Sequence, residues 1–262
     1  MTSYPHEARF TALGLPALIV STRPQDLLPA VDEVLATLSV LDAVGSRADP
    51  ASETSRLNRL AAAADLVAPA SDALLAQLGA ALWAANLTDG RVRPTAPGTD
   101  PLAWRGIRLG EDTVSLPRGT VLDLSATLPA HAADLLARAL RQETGGGFRV
   151  ELAGSVAVSG EPPAGGWQLP VASPGFHTQQ VVAIRDAAVA QVAPSTRPNI
   201  WTRVSVAART ALEARAWALA ASTMGELAPA WLTNRGVPAR LDRRTGTVRF
   251  TDGWPQPTRT AA

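Results

Sequence analysis

The sequence predicts an α+β fold: a single compact domain in which mixed or antiparallel sheets are flanked by helices. Three patterns indicate this fold. Between residues 24 and 44, apolar side chains recur at steps of three and four, as on the buried face of an amphipathic helix. Between residues 148 and 208, apolar runs of strand length follow one another, separated by turn residues. An alanine-rich helix is then predicted over 209–226.

The remaining elements follow from the same periods and from breakers. An extended segment is predicted over 8–21, and the stretch 46–60 is too hydrophilic for a strand and poorly periodic. Residues 88–100 are predicted as loop because Gly and Pro punctuate them, and the Gly145–Gly147 run ends a helix. Further helices are predicted at 71–86, 129–142 and 227–235. Strands are predicted at 105–108, 112–115, 119–124, 148–158, 167–172, 178–184, 187–193, 203–208, 237–242 and 246–251. We expect one domain over residues 8–252 and a tail over 253–262.

Composition excludes several kinds of chemistry. The 262 residues include no cysteine, and all 24 basic residues are arginine. Lysine-based and thiol-based catalysis are therefore excluded, and the composition is typical of a GC-rich coding sequence. A net charge of +1 without a basic run predicts no nucleic-acid partner. No secretory signal and no run of about 18 apolar residues occur, so we expect a cytoplasmic protein without a membrane partner.

The chain carries no standard catalytic motif. GxGxxG after a strand, GxSxG, HExxH and the P-loop are all absent. His6, His131 and His177 are scattered, and we expect each to be a surface or packing residue. Composition and spacing alone therefore predict an α+β domain and no particular reaction.

Five short segments, in order, resemble one family. Residues 46–58 read SRADPASETSRLN, 88–95 read TDGRVRPT and 122–134 read LDLSATLPAHAAD. Residues 149–160 read RVELAGSVAVSG with Trp167 following, and a V-x-V strand at 204–206 precedes the helical run 214–220, which closes on Gly225. These segments are similar to S-x-Y-x-P-x-S-E-I-S-R-L-N, T-D-G-x-F-D-P-T, L-D-L-G-G-I-A-K-G-Y-A-A-D, the G-G-D strand and the A-D-A-L-A-T-A-L helix of the ApbE proteins. The sequence thus resembles the ApbE family of FAD:protein FMN transferases, or flavin transferases.

The chain departs from the family at the positions of its chemistry. The helix Asp and the Thr four residues later, which in the family reach one Mg²⁺, correspond here to Arg215 and Leu219. Ser155 stands for the G-G-D aspartate, and Pro129 stands for the family's lysine, in the first turn of a helix that Thr127 could cap. The family's H-H-x-x-D-P-x-T-G loop has no counterpart in APSTRPNIWTR at 193–203. The resemblance therefore implies FAD as a candidate ligand, whereas we do not expect Mg²⁺ or a metal site.

The resemblance implies a set of candidate residues for binding a flavin nucleotide, and no catalytic residue is assigned. The set comprises Asn58, Asp89, Gly90, Asp123, Asp134, Ser155, Arg197 and Arg215.

Several of these residues have an alternative, structural interpretation. Asn58 could close the polar loop, Asp89-Gly90 is also a good turn pair, and Asp134 would favour a helix dipole from the first turn. Asp123, alone on an apolar strand, is either a site residue or a buried carboxylate with a structural partner. Arg197 and Arg215 would either contact an anion directly or, as helix or loop arginines, cover apolar surface.

Three functions remain open on the sequence. The first is a degenerate ApbE-like protein that binds a flavin or another anionic small molecule without Mg²⁺-dependent transfer. The second is an active transferase attaching FMN to a Thr or Ser of a protein acceptor. The third is a non-catalytic module that binds a protein partner, or an unrelated activity on the same cleft. Whether the chain is an enzyme is left open by the sequence.

Overall fold

The computed structural model describes residues 6–171, 180–194 and 199–255. The helices are α1 (Leu27–Gly45), α2 (Glu53–Ala61), α3 (Asp72–Leu87), α4 (Leu128–Thr144), α5 (Ala211–Ser222) and α6 (Ala228–Thr233). The first seven strands are β1 (Glu7–Ala12), β2 (Leu15–Ser21), β3 (Leu66–Pro69), β4 (Arg108–Leu109), β5 (Thr113–Leu116), β6 (Phe148–Leu152) and β7 (Ser155–Ser159). The others are β8 (Trp167–Val171), β9 (Gln180–Ile184), β10 (Ala188–Val192), β11 (Trp201–Ala208), β12 (Ala239–Arg243) and β13 (Val248–Phe250).

The central feature is an eight-stranded sheet with the order β1-β2-β6-β7-β10-β11-β12-β13. Every neighbouring pair in it is antiparallel. Helix α4 packs on β6 and β7, and α5 packs on β10 and β11. A separate hairpin of β8 and β9 buries Trp167 and Leu169 with Val20 and Val189 of the large sheet. The predicted α+β class with sheets flanked by helices is confirmed.

Small side chains set how closely α5 approaches the sheet. Ala214, Ala218 and Ala221 are fully buried against Trp201 and Leu241. Methyl groups at these positions leave room for the sheet's larger residues, so the helix lies close to the strands. This close packing fixes the position of every polar group that α5 carries toward the neighbouring loops.

Several predicted elements differ from the structure. The extended segment 8–21 is a hairpin, because Leu13 and Gly14 adopt positive φ and reverse the chain. The hydrophilic stretch 46–60 contains α2, whose N-cap Ser52 accepts a bond from Ser55 N and whose narrow buried side is only Thr54, Leu57 and Ala61. These residues follow a helical period, but Thr54 and Ala61 are only weakly apolar, so the buried side contrasts little with its polar surroundings in the sequence.

Other differences concern strands and a helix end. Residues 119–124 form no strand and make only an isolated bridge between Thr95 and Leu122. Residues 103–106 form a 3-10 helix ahead of the two-residue β4, and β3, pairing with β5, was not predicted. Helix α5 ends at Ser222, four residues before the predicted end, because Ser222 and Thr223 hydroxyls bond back to its last carbonyls.

Candidate functional site

A cavity of about 330 Å³ opens between the loop after α3, the loop before α4, the end of β10 and the end of α5. Its polar lining includes Arg91, Arg93, Thr95, Asp123, Ser222 and Thr223. Leu219 lies in the same wall. Three of the five segments, 88–95, 122–134 and 214–220, therefore meet around one concave surface, which is the usual form of a small-molecule site.

Asp123 is the predicted site residue that lines this cavity. It lies on the loop before α4 rather than on a strand, which corrects the prediction, and it is only 9% exposed. Its carboxylate accepts bonds from Arg47 Nη1 at 2.7 Å and from Ser125 N at 3.0 Å. The buried charge thus has a structural partner and borders the cleft at the same time.

A second cavity of about 210 Å³ lies beside the first. Its lining includes Leu41, Arg47, Ser125 and Pro129. Since Arg47 borders this cavity and Asp123 borders the larger one, their ion pair stands between the two. Pro129 occupies the first turn of α4 as predicted, while Thr127 is the N-cap without a side-chain bond.

Asn58 supports the cleft from behind. Its side chain donates to Leu122 O at 3.0 Å and accepts from Leu122 N at 2.7 Å, so α2 holds the residue preceding Asp123. The side-chain amide of Asn58 thus makes the two hydrogen bonds that a neighbouring strand would make to the backbone of one residue. Both polar atoms of the Asn58 side chain are therefore bonded to Leu122 rather than facing the cavity. Asn58 positions the loop that carries Asp123, and Asp123 lines the cavity.

Asp89 and Gly90 end helix α3. Asp89 has φ 54° and Gly90 has φ 75°, and Gly90 N donates to Ala85 O at 2.7 Å in a Schellman-type ending. The Asp89 carboxylate, mostly exposed, pairs with Arg235 at 3.2 Å. Asp89-Gly90 thus forms the turn that the sequence offered as the alternative. The residues that follow this turn line the cleft.

Asp134 binds the start of another helix. It lies in the second turn of α4, not the first, and accepts bonds from Ala211 N at 2.8 Å and Leu212 N at 2.9 Å of α5. Burial raises the pKa of Asp134, and these two backbone bonds oppose the shift. The carboxylate therefore favours the positive end of α5, rather than that of its own helix as predicted.

Arg215 is a largely buried cation held by neutral oxygens. Its Nε donates to Ala126 O at 2.6 Å, and its Nη1 donates to Ala153 O at 2.9 Å and to Ser155 Oγ at 3.4 Å. Burial lowers the pKa of Arg215. The guanidinium joins α5 to the loop before α4 and to the turn before β7. Arg215 is thus a buried connection between elements, which neither of the two interpretations from the sequence described.

This oxygen cluster does not fit Mg²⁺. Arg215 and Leu219 offer a guanidinium and an alkyl chain, and hard cations require oxygen ligands. The carbonyl oxygens that a cation could bind already accept bonds from Arg215. Across residues 6–171, 180–194 and 199–255, no group of three or more His, Asp or Glu side chains is placed to hold a metal ion.

Arg197 and His177, both singled out from the sequence, lie outside the described residues. His131 packs as expected: its Nδ1 lies 3.1 Å from Gln77 Oε1. Burial and the nearby Arg138 lower the pKa of His131 to about 4. Arg91, Arg93 and Thr95 were not selected from the sequence, although TDGRVRPT showed an arginine where the family has aspartate.

The fold and the cavity define an α+β protein with a cleft between loops and the end of a helix. The ApbE family model matches residues 97–197. Three solved structures share the fold at low sequence identity. They are the apo flavinyl transferase ApbE of Pseudomonas stutzeri (TM-score 0.80, 18% identity, 94% of this chain and 95% of that chain), the ApbE protein of Thermotoga maritima (0.79, 17%, 94% and 97%) and the flavin transferase ApbE of Vibrio cholerae (0.76, 18%, 95% and 98%).

These findings confirm the resemblance: this chain has the fold of the ApbE flavin transferases. A comparison with curated proteins gives no match. None of the helices in the described part of the chain is long and apolar enough to span a membrane.

Proposed function

We propose that this protein binds a flavin or another anionic nucleotide in the 330 Å³ cleft and does not carry out Mg²⁺-dependent FMN transfer. The binding domain spans residues 8–252. The observation that carries the proposal is the exchange of charge at the site. Arg215 stands where the family has a metal-binding aspartate, and Arg91 and Arg93 line the cleft.

Phosphoryl-type transfer depends on stabilising the charge that develops on the transferred group and its leaving group. In the family, as the resemblance implies, Mg²⁺ supplies that stabilisation at the FAD pyrophosphate. Here the guanidinium of Arg215 is engaged with the oxygens of Ala126, Ala153 and Ser155. A cation fixed in that way supports the fold and the cleft, and it engages the carbonyl oxygens of Ala126 and Ala153, which a metal at this position would need.

The experiment separates binding from transfer. Purified protein is titrated with FAD and with FMN, once with excess Mg²⁺ and once with a chelator, while flavin fluorescence is followed. The same mixtures, with a threonine-bearing acceptor peptide, are assayed for AMP. We expect saturable flavin binding that is equal in Mg²⁺ and chelator, and no AMP.

Mg²⁺-dependent AMP release would overturn the absence of transfer. A lack of saturable binding by either flavin would overturn flavin binding. Arg249→Gln is the matched control variant, since Arg249 is an exposed arginine on β13 outside the cleft lining. It should behave as the unchanged protein does, which shows that general loss of positive charge is not what is measured.

A further inference from the structure

We propose that Arg91, Arg93 and Thr95 form a metal-free binding subsite for a phosphomonoester, so that the cleft accepts a mononucleotide rather than a dinucleotide. This inference rests on the proposed function, because it assigns the ligand class of the same cleft. The three residues lie at alternate positions of one loop segment and all line the cavity. Their side chains therefore place three donors at one wall of the cavity.

The donors of this segment are poorly satisfied within the protein. Thr95 is 5% exposed, and its Oγ1 is buried without a hydrogen-bond partner among the described residues. The Arg93 Nε is buried and equally unbonded, while Arg93 Nη1 donates only to Gly90 O at 3.4 Å. Buried polar groups of native proteins nearly always have partners, and those that lack one point to a ligand or a functional role.

Charge around the segment favours an anion. Within the described part of the chain, neither Arg91 nor Arg93 has a carboxylate within ion-pair distance. The one acidic residue in the lining, Asp123, is neutralised by Arg47 at 2.7 Å. Two guanidinium groups with free donors match a phosphate, whose oxygens accept bidentate bonds. A phosphomonoester carries close to two negative charges at neutral pH, as many as the segment has cations.

Two further residues of the lining, Ser222 and Thr223, offer acceptors that suit a sugar. Ser222 Oγ and Thr223 Oγ1 donate to Leu219 O and Ala220 O of α5, so their oxygen lone pairs remain as acceptors toward the cleft. Ligand hydroxyl groups can donate to such oxygens.

The size of the cavity selects the smaller ligand. A volume of about 330 Å³ is at the low end of the roughly 300–1,000 Å³ of small-molecule sites. FAD is a dinucleotide whose two phosphates lie in the middle of the molecule, with a large group on each side. A mononucleotide presents its phosphate at one end, where the three donors of the segment can surround it.

The test uses two pairs of ligands that differ only in the phosphate: FMN with riboflavin, and AMP with adenosine. Affinities for the full-length protein are measured by calorimetry in the presence of a chelator. We expect at least one phosphorylated ligand to bind about thirtyfold more tightly than its partner, or about 2 kcal/mol. FAD should bind more weakly than FMN.

Variants then assign the effect to the segment. Arg91→Gln with Arg93→Gln should reduce the preference for the phosphorylated ligand to less than threefold, while Arg249→Gln should leave it unchanged. Thr95→Val, which keeps the shape of the side chain, should weaken the phosphorylated ligand about fivefold and the unphosphorylated one hardly at all. Circular dichroism and melting temperature establish that each variant is folded.

The outcomes separate the two proposals. Equal binding of the members of both pairs would overturn the phosphate subsite and leave ligand binding by the cleft intact. Tighter binding of FAD than of FMN would overturn the mononucleotide assignment alone. No binding of any of the five ligands would overturn the proposed function together with the subsite.

Discussion

Replacing Asp134 by alanine tests whether this carboxylate is a structural group that holds the start of α5. The substitution removes two bonds, from Ala211 N at 2.8 Å and Leu212 N at 2.9 Å, and leaves both amides at a buried helix end. Hydrogen bonds to a charged group contribute about 1.5–3 kcal/mol each. Burial raises the pKa of Asp134, so part of that gain is offset by desolvation and the lower end applies. We expect a loss of about 3 kcal/mol in the free energy of unfolding.

The assay is urea denaturation at pH 7 followed by circular dichroism, with the melting temperature as a second measurement. For a chain of this size, about 3 kcal/mol corresponds to a fall of roughly 10 °C. Asp134→Asn keeps one acceptor oxygen and should lose about half as much. The matched control is Thr210→Ala, since the Thr210 hydroxyl caps the same helix by accepting Glu213 N at 3.2 Å, and it should cost about 1 kcal/mol. If Asp134→Ala cost less than Thr210→Ala, the proposed role of Asp134 in holding α5 would be wrong.

Three further predictions concern the neighbouring residues. The double variant Arg215→Asp with Leu219→Thr frees two carbonyl oxygens and adds a carboxylate and a hydroxyl group. The affinity for Mg²⁺ should therefore rise at least about tenfold, and Mg²⁺ should raise the melting temperature of this variant. Leu219→Thr alone is the control, and no effect of Mg²⁺ on the double variant would contradict the interpretation of the oxygen cluster. The pKa of His131 is lowered to about 4 in the folded protein, so as the pH falls this imidazole is protonated in the unfolded chain before it is protonated in the folded one. The free energy of unfolding should therefore fall as the pH decreases from about 6.5 to 4. The loss should reach roughly 2 kcal/mol, and in His131→Gln the fall over this range should be smaller by that amount; an identical pH profile would refute it. Asn58→Ala removes both bonds to Leu122 and should lower the free energy of unfolding by about 1–3 kcal/mol, as measured by urea denaturation, whereas an unchanged denaturation midpoint would refute its supporting role.

The prediction of the fold succeeded where local pattern and tertiary burial agree. The apolar repeat of α1 is buried at Val34, Leu38 and Leu41, and the apolar runs after Gly147 form largely buried strands, so the hydrophobic pattern reports much of the burial. Leu28 and Leu35 of the same helix are nevertheless exposed. The prediction failed at α2, a nine-residue helix with a polar outer surface, because two of its three buried residues, Thr54 and Ala61, are only weakly apolar. It failed again at 119–124, where an apolar run is buried by Asn58 and a single bridge rather than by strand pairing.

The family motifs include loops that border the cavity, but they did not give the position or role of each residue. Among the predicted site residues, Asp123 lines the cavity, whereas Asp134 and Asn58 hold backbone groups from behind it. These roles depend on which backbone N–H or C=O comes within 3 Å, and that distance is set by elements far apart in sequence. A motif describes residue types and their spacing, so it cannot distinguish a carboxylate facing a ligand from one facing a helix end.

The sequence alone determined the class of fold, the order of the ApbE-like segments and the absence of lysine and cysteine chemistry. The resemblance also predicted that Arg215 stands where the family has an acid. The tertiary structure decided what that arginine does, because only the folded chain brings Ala126, Ala153 and Ser155 to one guanidinium. It likewise decided that Asp123 is neutralised by Arg47, 76 positions away in the chain, while the guanidinium groups of Arg91 and Arg93 stay without a carboxylate partner among the described residues. The sequence gives the number of charged side chains. Whether a charged side chain is paired depends on its distance to an opposite charge, and the folded structure sets that distance.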